Sequence, residues 1–255
     1  MSKPKFLFVL TSQGVIPSRQ TQTGWYLPEL VHPCNRLDHI FDIVIASPAG
    51  GEAPLDPYSI KSTSEDPGCV AFLKKKSDIW KDTVNPESLL GKTSEFAGIF
   101  YVGGHDRKYY CALYTREVKV LTWLIPLLLA MFDLANDEAS HALIRKFYEA
   151  GKVVSAVCHG PAALVNFKLA DGNYLIAGQK VTGLSDLEET IMQFTNDMPS
   201  LLETELCQNG GVYIKADGPF GVKVVTSGKG GKLVTGQNPP SAAVIGDALI
   251  KATGL

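Results

Sequence analysis

Cys158 closes an apolar run and is followed directly by His159, Gly160 and Pro161, residue types that suit nucleophilic chemistry. Val153 to Val157 is β-branched or small and apolar, so it reads as a buried parallel strand. Gly160 and Pro161 stop that strand, and Pro161 suits the first position of a helix. A thiol on a strand-to-helix turn, with Ala156 and Gly160 two residues to either side, has the layout of a nucleophile elbow. The small neighbours tolerate a strained turn and let a substrate approach. A helix N-terminus beside the sulfur is expected to favour the thiolate, its reactive form.

A cysteine nucleophile needs a proton acceptor, a proton donor and N–H groups for a developing oxyanion. The chain holds five histidines, His32, His39, His105, His141 and His159, and none follows position 159. That excludes the order of nucleophile, acid, then distant histidine. His159 is therefore the base itself or a local electrostatic helper. Glu29 lies on the segment after the first predicted strand, among Trp25, Tyr26, Leu27, Pro28, Leu30 and Val31, which would desolvate it and raise its pKa. A carboxyl poised in this way can steady a thiolate and shuttle protons. Glu188 and Glu189 open a short helix; one of them could orient His159, with the other solvated. Gly103 and Gly104 offer backbone N–H groups without side-chain obstruction.

The elements that must position these residues alternate between strand and helix. Strands are predicted at Lys5–Leu10, Asp42–Ser47, Gly98–Val102 and Val153–Val157, with shorter ones at Lys180–Thr182, Val212–Lys215, Val222–Ser227 and Lys232–Val234. Helical patterns cover Thr23–Leu37, interrupted at Pro28 and near Pro33, then Leu134–Ala150, capped by Asn136 or Asp137, and Ser241–Thr253. Pro48 to Pro67 reads as a long loop, of the length that covers a site or a partner. The pattern implies an α/β fold, a parallel sheet covered on both faces, with ligands beyond the carboxyl ends of the strands. Gly103, Gly104 and Cys158 all fall there.

The chain is 255 residues long with a net charge of −2, so it carries no electrostatic footprint for nucleic acid or an anionic membrane. Five widely spaced cysteines without a C-x-x-C pair point to free thiols in a reducing compartment. Lys5–Leu10 is too short an apolar run for a secretory leader. His32-x-Cys34 and His105 contain metal-binding residue types without metal-site spacing, so no metal or cofactor is expected. One stretch, Asp106 to Ala130, breaks the path from the third strand to the next helix. Its apolar portion, Val118–Phe132, falls short of the ~20 residues a membrane helix needs. It reads as a buried hairpin, a lid, a dimer contact or a poorly folded insertion.

Ala156-Val157-Cys158-His159-Gly160-Pro161, Gly103-Gly104-His105, Glu29-Leu30-Val31-His32-Pro33 and Thr235-Gly236-Gln237-Asn238-Pro239 together resemble the ThiJ/PfpI branch of the class I glutamine-amidotransferase-like superfamily. They are most similar to its fungal glutathione-independent glyoxalases, of the glyoxalase III or D-lactate dehydratase type, which double as stress-induced chaperones. The resemblance covers most of the chain. It implies one flavodoxin-like domain over 1–255, with Cys158, His159 and Glu189 as a catalytic set and Glu29 hydrogen-bonded to the thiol. Gly103, Gly104 and His105 would form the oxyanion and substrate site. The implied activity is a lyase that detoxifies methylglyoxal and other small 2-oxoaldehydes without a cofactor. The alternatives are a holdase for unfolded-protein clients and a deglycase or peptidase on the same cysteine. A homodimer in the cytoplasm, extending to the nucleus, is also implied. The insertion at about 106–130 departs from the family pattern by removing the glycine after His105; it reads as translated intron or an isoform-specific segment beside the oxyanion site.

Overall fold

The computed structural model describes residues 3–104 and 133–255; His105 and the insertion lie outside them. Six strands form the central sheet: β1 (Lys5–Val9), β2 (Asp42–Ala46), β3 (Phe96–Tyr101), β4 (Val153–Val157), β5 (Val224–Ser227) and β6 (Leu233–Gly236). Their order is β2-β1-β3-β4-β6-β5, parallel throughout except for β5, which pairs antiparallel with β6 at the edge. This is the doubly wound, flavodoxin-like arrangement with one antiparallel edge strand. Phe6 to Val9 of β1 and every residue of β4 are buried, as expected of strands covered on both faces. Phe6, Phe8, Phe41 and Phe100 meet edge to face, with centroids 5.2–5.9 Å apart.

Eight α-helices are present among the described residues: α1 (Leu27–Leu37), α2 (Pro57–Ser62), α3 (Pro67–Lys75), α4 (Glu138–Glu149), α5 (Ala162–Val165), α6 (Asp186–Ile191), α7 (Leu202–Gln208) and α8 (Ala242–Thr253). Pro28 does not interrupt α1; it occupies the first turn, where its missing N–H costs nothing, and Pro33 sits inside the helix. α4 starts at Glu138 rather than Leu134, because the Asp137 carboxylate accepts from the Ser140 N–H and caps it. The predicted loop from Pro48 to Pro67 contains α2, capped by Asp56 through the N–H groups of Tyr58 and Ser59. That segment is pinned to the sheet side by three bonds: Trp25 N to Pro54 O, Asp56 N to Trp25 O, and the Trp25 indole N–H to Ala53 O. No helix among the described residues is long and apolar enough to cross a membrane.

Candidate active site

Cys158 follows β4 directly, with φ at +58°, a left-handed conformation that a non-glycine residue rarely adopts. Two bonds hold it there: its N–H donates to Gly236 O at 3.0 Å, and its carbonyl accepts from Leu184 N at 2.9 Å. The strand therefore stops, and the side chain is turned away from the sheet. Such a conformation costs about 1–3 kcal/mol and persists only where its surroundings over-determine it, as they do here.

α1 delivers Glu29. Tyr26 N–H donates to Gly103 O at 3.0 Å, tying the start of the helix to the end of β3, so the first-turn carboxylate enters the space beside the sulfur. Glu29 is fully buried. Burial raises its pKa to about 8, against opposing contributions from the Cys158 thiol and the Gly103 backbone. Burial outweighs both, so the protonated form dominates at neutral pH. Gly103 is required by the closeness of this packing: a Cβ there would lie 2.5 Å from Glu29 Oε2 and 2.8 Å from Cys158 Cβ. Gly104 is equally confined, since its Cβ would lie 2.1 Å from Gly24 O.

On the other side of the thiol, His159 Nδ1 lies 3.8 Å from Cys158 Sγ, and its Nε2 is 2.7 Å from Glu189 Oε2. Both side chains are almost wholly buried. Glu189 arrives on α6, and Glu188, beside it, is not solvated. Glu188 Oε2 accepts from Ser185 N, Ser185 Oγ and Gln237 Nε2, while Oε1 accepts from Phe220 N and Asn238 Nδ2, all within 3.0 Å. With Ser185 it completes a capping box, a signature legible in the spacing Ser185-x-x-Glu188. Glu188 is thus a clamp that fixes the strand–helix junction carrying Glu189.

The expected helix-favoured thiolate is not what the structure supports. α5 spans only Ala162–Val165, too short for an appreciable macrodipole. Burial first, then the neighbouring carboxyl groups of Glu29, Glu188 and Glu189, push the Cys158 thiol well above its ordinary range. The resting sulfur is therefore a thiol.

The site opens into a cleft of about 480 Å³ whose lining includes Tyr26, Glu29, His32, Tyr58, Asp66, Cys158, Leu184, Met192, Phe220 and Pro239. The wall formed by Tyr58, Thr63 and Asp66 comes from the segment read as a loop over the site. Sequence reasoning also passed over the role of Asp133. Its carboxylate accepts from Thr11 Oγ1, Ser12 N and Leu134 N, anchoring the turn after β1, and burial raises its pKa to about 6.

A family model described as the DJ-1/PfpI family matches residues 131–252. Glyoxalase 3 of Candida albicans is 37% identical over 127 residues, a match that spans 48% of this chain and about half, 52%, of that protein. The glutathione-independent glyoxalase HSP31 of Saccharomyces cerevisiae is 27% identical across 95% of this chain and 94% of its own. Among solved structures, the Rapid Encystment Protein 24 kDa of Francisella tularensis superposes with a TM-score of 0.82 at 30% identity, covering 99% of both chains. Glyoxalase III from Candida albicans superposes with a TM-score of 0.76 at 26% identity over 98% of this chain and 97% of that one.

Proposed function

The chain belongs to the DJ-1/PfpI family, and from that membership we propose that it is a glutathione-independent glyoxalase, a lyase of the D-lactate dehydratase type that turns methylglyoxal and similar 2-oxoaldehydes into 2-hydroxy acids. The observation that carries the reading is a strained, buried thiol held between a protonated carboxyl, Glu29, and a carboxylate-oriented imidazole, His159. Relatives whose names state this activity align over nearly the whole chain.

The chemistry can be followed proton by proton. The thiol proton passes to His159 Nδ1 as sulfur bonds to the aldehyde carbon, C1, and the aldehyde oxygen takes the Glu29 proton. Glu189 steadies the imidazolium that results. The Glu29 carboxylate then removes the C1 hydrogen while the imidazolium protonates the C2 oxygen, giving an enediol. Glu29 returns a proton to C2 as the C1 hydroxyl gives one to His159, which leaves a thioester of the 2-hydroxy acid. Water cleaves the thioester; Glu29 takes a water proton and the sulfur recovers its own from His159. One oxoaldehyde and one water have become one 2-hydroxy acid, with no redox partner. Delivery of the proton from one fixed carboxyl accounts for a single stereoisomer.

Gly103 and Gly104 complete the rim in this reading, Gly103 by letting Glu29 close on the sulfur. The third residue of that run, His105, lies outside the described residues. A homodimer, unfolded-protein clients and a cytoplasmic or nuclear setting belong to the same proposal on the strength of the resemblance. The test is purified protein with methylglyoxal, followed for D-lactate without added thiol. Cys158→Ser should abolish turnover while preserving the circular dichroism spectrum; lactate formation at the wild-type rate by that variant would end the proposal.

A further inference from the structure

α1 carries a second chemical group one turn beyond Glu29. Residues three apart share a helix face, so His32 lines the same cleft as Glu29 and Cys158. Cys34, which the sequence placed beside it, stands two residues on, buried in the core and absent from the cleft lining. The partners of His32 come instead from the start of α3. Its Nε2 lies 3.2 Å from Asp66 Oδ2, and the donor atoms of His32, Asp66 and Cys69 all fall within 4.8 Å of one another.

Helix capping orients the set. Asp66 is the N-cap of α3, and its Oδ1 accepts from Gly68 N and Cys69 N at 2.8 and 3.1 Å. That leaves Oδ2 turned towards His32. Cys69, three residues into the same turn, is fully buried, whereas His32 and Asp66 are partly exposed along the cleft. One nitrogen, one carboxylate oxygen and one sulfur therefore converge from the protein side, and the remaining direction opens to the cleft. Tetrahedral zinc sites have bonds of about 2.0–2.3 Å, so their ligand atoms lie roughly 3.3–3.7 Å apart. The His32–Asp66 pair, at 3.2 Å, lies close to that spacing, and the Cys69 sulfur stands within 4.8 Å of both donor atoms.

We infer that His32, Asp66 and Cys69 form a binding site for a zinc-class divalent transition ion, with the fourth position facing the cleft. The donor set of imidazole, carboxylate and thiol favours such an ion over calcium or magnesium, which take oxygen ligands. Binding replaces the Cys69 S–H bond by a metal–sulfur bond and releases that proton to solvent, with no change of oxidation state. An ion held there would carry its water or substrate oxygen into the cleft that Cys158 lines, and so would modulate access to the thiol. The site stands apart from the glyoxalase reading, because its detection needs no turnover.

The test is a titration of the full chain with cobalt(II) and zinc(II) in the Cys158→Ser background, which removes the thiol that lines the cleft. Expected is one equivalent bound with Kd of about 1 μM or tighter, and for cobalt a near-ultraviolet thiolate-to-metal absorption. Adding Cys69→Ser should abolish that absorption and weaken zinc by at least ~10-fold, as should His32→Gln alone. Asp66→Asn keeps the cap while removing the charge, and should weaken binding with α3 intact. A thiolate band that survives Cys69→Ser would place the metal on another cysteine and overturn the assignment. So would failure of the parent protein to bind, or equal affinity in all the variants.

Discussion

Replacing Glu29 by Gln should make the protein more stable as it makes it inactive, with a size set by pH. An ordinary glutamate titrates at 4.5, and burial raises Glu29 to about 8 in the folded chain. Between those values the folded state holds a proton that the unfolded state has released, so stability falls as pH rises. The loss begins near 4.5, accumulates at about 1.4 kcal/mol per pH unit, and levels off above 8. At pH 7 it amounts to roughly 3 kcal/mol relative to pH 4.5. Glutamine has the shape of the protonated acid and no proton to lose, so it escapes the penalty. Urea unfolding of both proteins at pH 5, 7 and 8.5 is the assay. The variant's advantage should grow by about 3 kcal/mol or more from the first pH to the last, while turnover falls by about 10²–10⁴-fold. Any constant effect of the amide cancels, because only the change with pH is read. Parallel pH profiles for the two proteins would refute the buried, protonated carboxyl and with it the proton shuttle.

Glu189→Gln keeps a partner for His159 Nε2 but removes the charge that favours imidazolium. Steady-state kinetics should show kcat reduced about 10²-fold or more with KM little changed. Gly103→Ala places a methyl 2.5 Å from Glu29 Oε2 and should cost about 1–3 kcal/mol in chemical denaturation together with most of the activity. Glu188→Ala strips five hydrogen bonds from a buried junction, so it should destabilise by about 3 kcal/mol or more in the same assay, well beyond Glu189→Ala.

The sheet and the elbow were legible because their signals are local. Val153–Val157 was bounded correctly from its apolar run and the Gly160-Pro161 stop, and β1, β2 and β3 were misplaced at their ends by two residues at most. The errors lie where a distant partner decides. Nothing between Pro48 and Pro67 has helical periodicity; α2 forms because Asp56 caps it and Trp25 anchors its approach. Nothing near Glu188 announces Gln237 and Asn238, which reach it from beyond β6, so a buried clamp read as a solvated carboxylate. Glu29 was found because Leu27, Pro28, Leu30 and Val31, its apolar neighbours in sequence, are buried and carry it into the interior with them. His32 was set beside Cys34 by adjacency along the chain, although helix geometry sends the two to different surroundings.

The protonation of the site decides how the cysteine works. A free thiolate in this pocket would face Glu29, Glu188 and Glu189 across a medium with little water, and the thiol is raised for that reason. Glu29 is raised by the same burial, so at neutral pH the pair holds two protons and no charge. In the proposed mechanism, ionising the sulfur becomes affordable only when the aldehyde carbon takes up its electron pair and His159, 2.7 Å from Glu189, accepts the proton. An alkylating probe should therefore modify Cys158 slowly at pH 7 in wild-type protein. Glu29 carries no charge at pH 7 and desolvation is the larger cause of the raised thiol, so Glu29→Gln should change the alkylation rate far less than it changes turnover. If instead iodoacetamide labelled Cys158 as fast as a solvent-exposed thiolate, the sulfur would be ionised at rest, and the proton taken by His159 in the first step would have to be assigned elsewhere.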